Sequence, residues 1–417
     1  MSKSEITGVK QAGAIKYSLG SYEAQVEKRL DEFQATDFTK KIWNKDASLW
    51  SAQDEAQWLG WLDVTKQQLG QHHIFTKIAD EIRAAGFTQA LLLGMGGSSL
   101  CVEVIRNTFG ANRPFPDMHV LDSTVPAQVL AIRKKLDLAK TVMIVASKSG
   151  STTEPNVMCQ YFYDETKKVV GAEKVGQHFI AITDPGSSME KTAAQLKFRA
   201  VYHGLPSIGG RFSALSNFGM VPSAVIGVDV AKLLHHAQKL VDACGPNVPV
   251  RENPGAVLGT ILGVLAKQGR DKVTVITSSA ISSLGAWLEQ LMAESTGKEG
   301  TGLIPVAGEQ LCSPDKYGKD RLFAYVRLSS APDAEQESAV KTLETAGHPV
   351  VRIEVTDKID LGAEFYAWEF ATAVAGSILG INAFSMPGAT TSSSAFAPSS
   401  KANLMVFREG IFFRFRS

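Results

Sequence analysis

The sequence predicts an α/β protein built on a doubly wound parallel sheet, with a second α/β unit behind it and a helical segment in front. Short apolar runs rich in Leu, Ile and Val alternate with helix-patterned segments from residue 78 onward. Two of these runs end in loops of glycine and small hydroxyl residues, at 94–99 and 147–152. A third run, 272–277, repeats the plan of strand, Ser-rich loop and helix. These observations predict two α/β units.

Composition limits the classes of function. The chain has 417 residues, 44% hydrophobic and 20% charged, with a net charge of +1. No overall field favours nucleic acid or an anionic membrane, so we expect neither as a partner. The four cysteines show neither zinc-ligand spacing nor a disulfide framework, and we expect no metal and no organic cofactor. With no apolar leader and no run of 18 apolar residues, a cytoplasmic protein is expected.

Residues 1–75 are predicted to be a helical lead-in. Apolar residues three and four apart predict helices over 21–38 and 54–69. Four tryptophans occur here, and they either pack as a cap on the main core or stack on a sugar: Trp43, Trp50, Trp58 and Trp61.

The first α/β unit is expected over residues 76–250. Its predicted strands are 89–93, 118–122, 141–146, 178–183 and 198–202. Strands that alternate with helices form a parallel sheet with right-handed crossovers, and ligands bind at the carboxyl ends of such strands. The loops after strands 89–93 and 141–146 should therefore lie together and hold one phosphate.

Both loops have the chemistry of an anion site. Ser147, Lys148, Ser149 and Thr152 supply hydroxyls and a cation just before a predicted helix N-terminus, where backbone N–H groups are free. A Ser/Thr-rich turn that only caps the helix is the alternative. The other loop reads GMGGSS, in which glycines allow close backbone approach and Ser98 can donate; its spacing differs from the dinucleotide motif GxGxxG.

Further candidates follow in the chain. Arg211 sits in GGRFS, where it either reaches a cleft and binds an oxyanion or lies in an ordinary surface turn. The second α/β unit is expected over 251–384. Its predicted elements are a helix at 256–268, a strand at 272–277, a helix at 284–296, strands at 322–328 and 350–355, and a helix at 364–379. Gln290 and Glu294 lie four apart on one face of the helix 284–296.

Taken together, the motifs resemble the phosphoglucose isomerase family, which is built from two sugar-isomerase (SIS) domains. They are GMGGSS at 94–99, SKSGSTTE at 147–154, GGRFS at 209–213, WLEQLMAESTGKE at 287–299, and Gly380-Ile-Asn382. The segment 21–63 is similar to the joining region of bifunctional transaldolase/phosphoglucose isomerases, of which only the isomerase half is implied.

The resemblance implies interconversion of glucose 6-phosphate and fructose 6-phosphate through a cis-enediol, by a homodimer without a cofactor. By the same resemblance, Glu294 is the general base, Arg211 steadies the enediolate and Gln290 contacts the substrate. The phosphate contacts that it implies are Gly97, Ser98, Ser147, Lys148, Ser149 and Thr152. The chemistry agrees, because moving a proton between C1 and C2 needs one base and a cation at the developing oxyanion.

The chain departs from the family in two places. No histidine follows the Glu294 motif between residues 302 and 328, where the family has one that helps to open the sugar ring; His348 is the next candidate. Ser393 stands where the family has a lysine, and Lys401 is the nearest lysine. Residues 385–417 are expected to be a divergent, disordered tail.

Three alternatives remain open at this point. The chain could be a phosphosugar-binding SIS module that senses without catalysis, although no DNA-binding helix-turn-helix is evident. It could be a truncated, inactive isomerase. An amidotransferase-type SIS isomerase would require a nucleophilic cysteine near the start, and the sequence has none there.

Overall fold

The computed structural model describes residues 15–385. Its strands are β1 Ile15–Ser18, β2 Gln89–Gly94, β3 Asp117–Leu121, β4 Thr141–Ala146, β5 Phe179–Thr183, β6 Ala200–His203, β7 Lys272–Thr277, β8 Ile304–Ala307, β9 Arg321–Leu328 and β10 Val350–Val355. Its α-helices are α1 Glu23–Ala35, α2 Phe38–Trp43, α3 Val64–Gly70, α4 His72–Ala84, α5 Leu100–Phe109, α6 Pro126–Lys135, α7 Thr153–Val170, α8 Ser188–Gln195, α9 Asn217–Val225, α10 Val230–Ala243, α11 Pro254–Lys267, α12 Leu284–Thr296, α13 Ala334–Thr345 and α14 Leu361–Leu379.

The first sheet has the order β3-β2-β4-β5-β6 and is parallel throughout. Successive residues of β4 enter different apolar clusters: Val142 and Ile144 belong to one cluster, Met143 and Val145 to another. The sheet is therefore covered on both faces, as a doubly wound sheet must be. This confirms the predicted first parallel sheet.

The second sheet has the order β1-β10-β9-β7-β8, and its strands β7 to β10 are parallel. The predicted second α/β unit is confirmed. Sequence analysis did not predict the two edge strands. Strand β1, inside the predicted helical lead-in, pairs antiparallel with β10, and β8 contains Pro305. A four-residue edge strand carries too few alternations to show a period.

Helices α11 and α14 form the centre of the core. Nearly every residue of α14 is buried, and α11 meets it through small residues. A Cβ added at Gly259 would lie 2.6 Å from the Cβ of Val374, so glycine permits this close approach. The same apolar cluster includes Leu240 and Ile261, on either side of the predicted boundary at 250/251. The boundaries of the predicted domains remain predictions.

The lead-in differs from the predicted helix over 54–69. Two single 3₁₀ turns, Glu55–Trp58 and Gly60–Asp63, come before α3. The backbone breaks here because Leu59 bridges to Ile208 and the Gly60 N–H donates to Ser207 O at 3.0 Å. Long-range pairing has overridden the local helical period.

The four lead-in tryptophans cap the core. Trp61 is fully buried against Phe212, the Trp50 Nε1–H donates to Ala373 O at 2.8 Å, and the Trp43 Nε1–H donates to Cys244 O at 2.8 Å. Trp58 is partly buried against the same core, and its ring also lies beside Lys148. In residues 15–385, no helix is long and apolar enough to cross a membrane.

Candidate active site

The two predicted phosphate loops emerge side by side. Strands β2 and β4 are neighbours, and Gly94 pairs with Ala146 at their carboxyl ends. In the sheet, β3 lies on one side of β2 and β4 lies on the other, so the order of the strands reverses at β2. The two loops flank this switch point. Ligands bind at such crevices in open α/β sheets. The prediction that both loops share one edge of one sheet is confirmed.

The loop after β2 is packed against the helix and the loop that carry the other candidates. Gly96 has φ +53°, and a Cβ there would lie 2.5 Å from Nε2 of Gln290. A Cβ at Gly97 would lie 2.9 Å from Arg211 N and closer still to Gly210 O. Glycine is therefore required at 97, since any side chain would push the Arg211 loop away. Ser98 is buried beside it.

The loop after β4 offers donors without partners. Ser147 is 2% exposed, and its Oγ has no hydrogen-bond partner within the described structure. Gly150 turns the loop at φ +69°, and its carbonyl accepts a bond from Ser188 Oγ at 2.6 Å. Thr152 precedes α7 and makes no side-chain capping bond. An 18-residue helix thus directs its positive end and its free N–H groups at this loop.

Three loop residues already have partners. The Ser149 and Ser151 hydroxyls bond to each other at 2.8 Å. Lys148 Nζ donates to the Asp184 carboxylate and lies 5.9 Å from the ring centre of Trp58. Lys148 would therefore share its charge between Asp184 and a bound phosphate.

Arg211 is buried and held from several sides. It is 6% exposed, and Nε donates to Ser295 Oγ at 3.0 Å. One terminal nitrogen donates to Glu294 Oε2 at 3.3 Å, and the other donates to three successive backbone carbonyls, those of Ala383, Phe384 and Ser385. Burial lowers the pKa of Arg211, and the neighbouring Glu294 carboxylate opposes this shift only in part. The guanidinium stays charged at any physiological pH.

Glu294 lies between two of the predicted site residues. Its Oε2 accepts from Arg211, and its Oε1 accepts from Gln290 Nε2 at 3.2 Å. The Glu294 side chain is 21% exposed, so solvent reaches it. Helix α12 places Gln290 and Glu294 one turn apart, and its bounds are those predicted. The structure thus brings Arg211, Gln290 and Glu294 together beside the loop at Gly96.

Three further residues belong to this cluster, and sequence analysis did not identify them as site residues: Lys298, Asn382 and Asp54. Lys298 Nζ donates to Asn382 O, and to Ser385 O and Oγ at 2.9 and 3.2 Å. Asn382 Nδ2 donates to Asp54 Oδ1 at 2.6 Å, and Trp58 Nε1–H donates to Asp54 Oδ2 at 3.0 Å. Hydrogen bonding to Trp58 lowers the pKa of Asp54. Lys298 lies inside the motif WLEQLMAESTGKE, and this position is the sequence signal that could have identified it as a site residue.

The predicted candidates for ring opening lie away from this cluster or outside the described residues. His348 Nε2 donates to Pro314 O at 3.0 Å, and the ring packs on Phe323 of the second sheet. Within residues 15–385, no hydrogen bond or ring contact joins His348 to Glu294 or Arg211. Ser393 and Lys401 lie outside the described residues, as does most of the segment 385–417.

The fold and these loops define a class of protein, the two-sheet sugar-isomerase fold. The chain superimposes on a crystal structure of a hypothetical protein from Thermus thermophilus with a TM-score of 0.76 and 23% identity, over 90% of this chain and 96% of that one. It matches a glucose-6-phosphate isomerase from Chlamydia trachomatis with a TM-score of 0.70 and 19% identity, over 91% and 86%.

A match between the sequence and a family model shows the family to which the chain belongs. The model of the phosphoglucose isomerase family matches residues 80–306, more than half of the chain, and the chain belongs to that family. Relatives include proteins named glucose-6-phosphate isomerase from Rubrobacter xylanophilus, 27% identical over 75% of this chain and 82% of that one, and from Clostridioides difficile, 26% identical over 79% and 84%.

Proposed function

We propose that the chain is a glucose-6-phosphate isomerase that interconverts glucose 6-phosphate and fructose 6-phosphate. The observation that carries this proposal is the cluster of Glu294, Arg211 and Gln290 at hydrogen-bond distance beside the glycine-rich loop. A carboxylate next to a buried cation suits proton transfer at a carbon whose neighbouring oxygen becomes negative. The family's relatives carry the same name, which supports the assignment.

The phosphate is held at the switch point of the first sheet. The unpartnered Ser147 hydroxyl and the free N–H groups at the start of α7 support a phosphate at this loop. Gly97, Ser98, Ser149, Thr152 and the shared charge of Lys148 complete the proposed set.

Glu294 moves the proton. In the aldose it removes the proton from C2, the electron pair forms the C1–C2 double bond of a cis-enediol, and the C1 oxygen gains negative charge beside Arg211. The C2 hydroxyl proton passes to the C1 oxygen, the C2 carbonyl forms, and the electron pair of the double bond takes the proton back from Glu294 at C1, which gives the ketose. One base is sufficient because C1 and C2 are adjacent. Gln290 holds the carboxylate in place through its 3.2 Å bond.

The test is isomerisation by the purified chain. Glucose 6-phosphate formed from fructose 6-phosphate is measured with a coupled dehydrogenase, and deuterium uptake at C1 of the sugar in D₂O is followed by NMR. Turnover with deuterium uptake is expected. No turnover, together with a phosphosugar-dependent rise in melting temperature, would favour the binding module that senses without catalysis.

A homodimer and a cytoplasmic location are further parts of the proposal. The dimer is supported by the family resemblance, and sedimentation of the purified chain tests it. The location is supported by the thiols: Cys101, Cys159 and Cys244 are buried and free, and burial raises the pKa of each to about 12. Free cysteines are usual in a reducing compartment.

A further inference from the structure

Lys298 is a charged residue of the cluster that the proposed mechanism does not use. It follows the end of α12, two residues beyond Thr296, and its side chain is half-buried. Its ammonium donates to Ser385 O at 2.9 Å, and Arg211 donates to the same oxygen at 2.9 Å. Lys298 and Arg211 therefore lie side by side at one shared acceptor, and Glu294 contacts Arg211.

The surroundings of Lys298 make its proton labile. Burial and the positive charge of Arg211 lower the pKa of Lys298 to about 7, while the carboxylates of Asp54, Glu294 and Glu55 oppose this shift. An exposed lysine keeps its proton up to pH about 10. A group with a pKa near the working pH is the most effective proton donor.

The substrate presents a step that needs such a donor. Hexose 6-phosphates exist in water mainly as rings, whereas the enediol forms from the open chain. Opening the ring breaks a bond between carbon and the ring oxygen, and the oxygen must receive a proton as the bond breaks. Among residues 15–385, no histidine hydrogen-bonds to Arg211, Glu294 or Lys298; His203, for example, pairs with Glu190.

We propose that Lys298 is the general acid that opens the sugar ring, an inference that rests on the proposed function. In fructose 6-phosphate the C2–O5 bond breaks, its electron pair goes to O5, and O5 takes a proton from Nζ. The C2 hydroxyl loses its proton to water as the carbonyl forms, and solvent returns a proton to the amine. The N–H that now points at Ser385 Oγ, at 3.2 Å, is the one that turns to the ring oxygen.

The test compares a sugar that forms a ring with one that cannot. Fructose 6-phosphate closes through its C5 hydroxyl, whereas 5-deoxyfructose 6-phosphate lacks this hydroxyl and stays open. Deuterium uptake at C1 in D₂O is measured by NMR for both sugars, with the wild type, Lys298→Met, Lys298→Arg and Glu294→Gln. Arginine keeps the charge and the bonds to residues 382–385 but does not release its proton, because its pKa exceeds about 12.

Lys298→Met and Lys298→Arg are each expected to slow uptake into fructose 6-phosphate by at least about 100-fold, the lower range for a positioned acid. Uptake into the open sugar should fall by less than about threefold, whereas Glu294→Gln should abolish both. For the wild type, kcat/KM with fructose 6-phosphate should fall above pH 7, where the free enzyme loses the Lys298 proton, and kcat/KM with the open sugar should not.

The outcomes separate the two proposals. Equal losses with both sugars would make Lys298 a structural clamp and overturn the inference. Recovery by Lys298→Arg would show that charge alone is needed, and would also overturn it. If the wild type exchanges neither sugar, the proposed function itself fails. If Lys298→Met does not fold, the Arg variant and the wild-type pH profiles still decide.

Discussion

Replacing Glu294 with Gln removes the proposed base and keeps the shape of the side chain. An amide oxygen can still accept the 3.3 Å bond from Arg211, which also keeps its bonds to Ser295 and to the carbonyls of 383–385. Arg211 should therefore stay in place, and we expect KM to change by less than about threefold. The bond from Arg211 changes from charge-assisted to neutral, which should lower the free energy of unfolding by about 1 kcal/mol.

Turnover should fall much further than binding. A positioned base contributes about 10²- to 10⁴-fold, so kcat should drop by at least about 100-fold, or about 2.7 kcal/mol in the barrier. The coupled assay measures kcat and KM, and the shift in melting temperature with added fructose 6-phosphate measures binding. Glu289→Gln, the same change on the exposed side of α12, is the control. A kcat within about tenfold of the wild type would refute the assignment of Glu294.

Three further predictions follow from single side chains. Ser147→Ala removes a buried hydroxyl without a partner, so the melting temperature should hold or rise while phosphosugar binding weakens by at least about tenfold; Thr166→Val, at another unpartnered buried hydroxyl, should leave binding unchanged. Weakened stability with intact binding would contradict this. Gly97→Ala forces a Cβ against Gly210 and Arg211 and should cost at least about 2 kcal/mol of stability along with activity, whereas Gly70→Ala, with no atom within 4 Å, should be neutral or stabilising; an active, stable Gly97→Ala would be the contrary result. Burial raises the pKa of Glu364 from 4.5 to about 8, so its contribution to stability is full below pH 4.5 and is lost as the pH rises to 8. Glu364→Gln should therefore gain about 4 kcal/mol over the wild type between about pH 5 and about pH 8.5 in urea unfolding. Parallel pH curves for the two proteins would exclude this explanation.

Local patterns identified the parts of the site that lie within single elements. Strand β4 and its loop were predicted because an apolar, β-branched run is followed by small hydroxyl residues and a helix start, and all six residues of the strand are buried in the structure. The bounds of α12, β7 and β10 match the prediction, and Gln290 and Glu294 share a helix face as their spacing requires. The order of the elements also predicted that the two phosphate loops meet at one sheet edge, since crossovers have one hand.

Residue patterns alone were therefore sufficient to predict two α/β units, the position of the two loops proposed to bind phosphate, and the family. The patterns did not predict that Arg211 reaches Glu294 and the carbonyls of 383–385, up to 174 positions away along the chain, because this contact forms only on folding. Only the tertiary structure placed Lys298 beside Arg211, paired Ile15 with Ile353 and broke the predicted helix at Leu59 through its bridge to Ile208. Periodicity reports which face of an element is buried, but it does not report what covers that face. The lowered pKa of Lys298 depends on that packing, because desolvation and a neighbouring charge exist only in the folded chain.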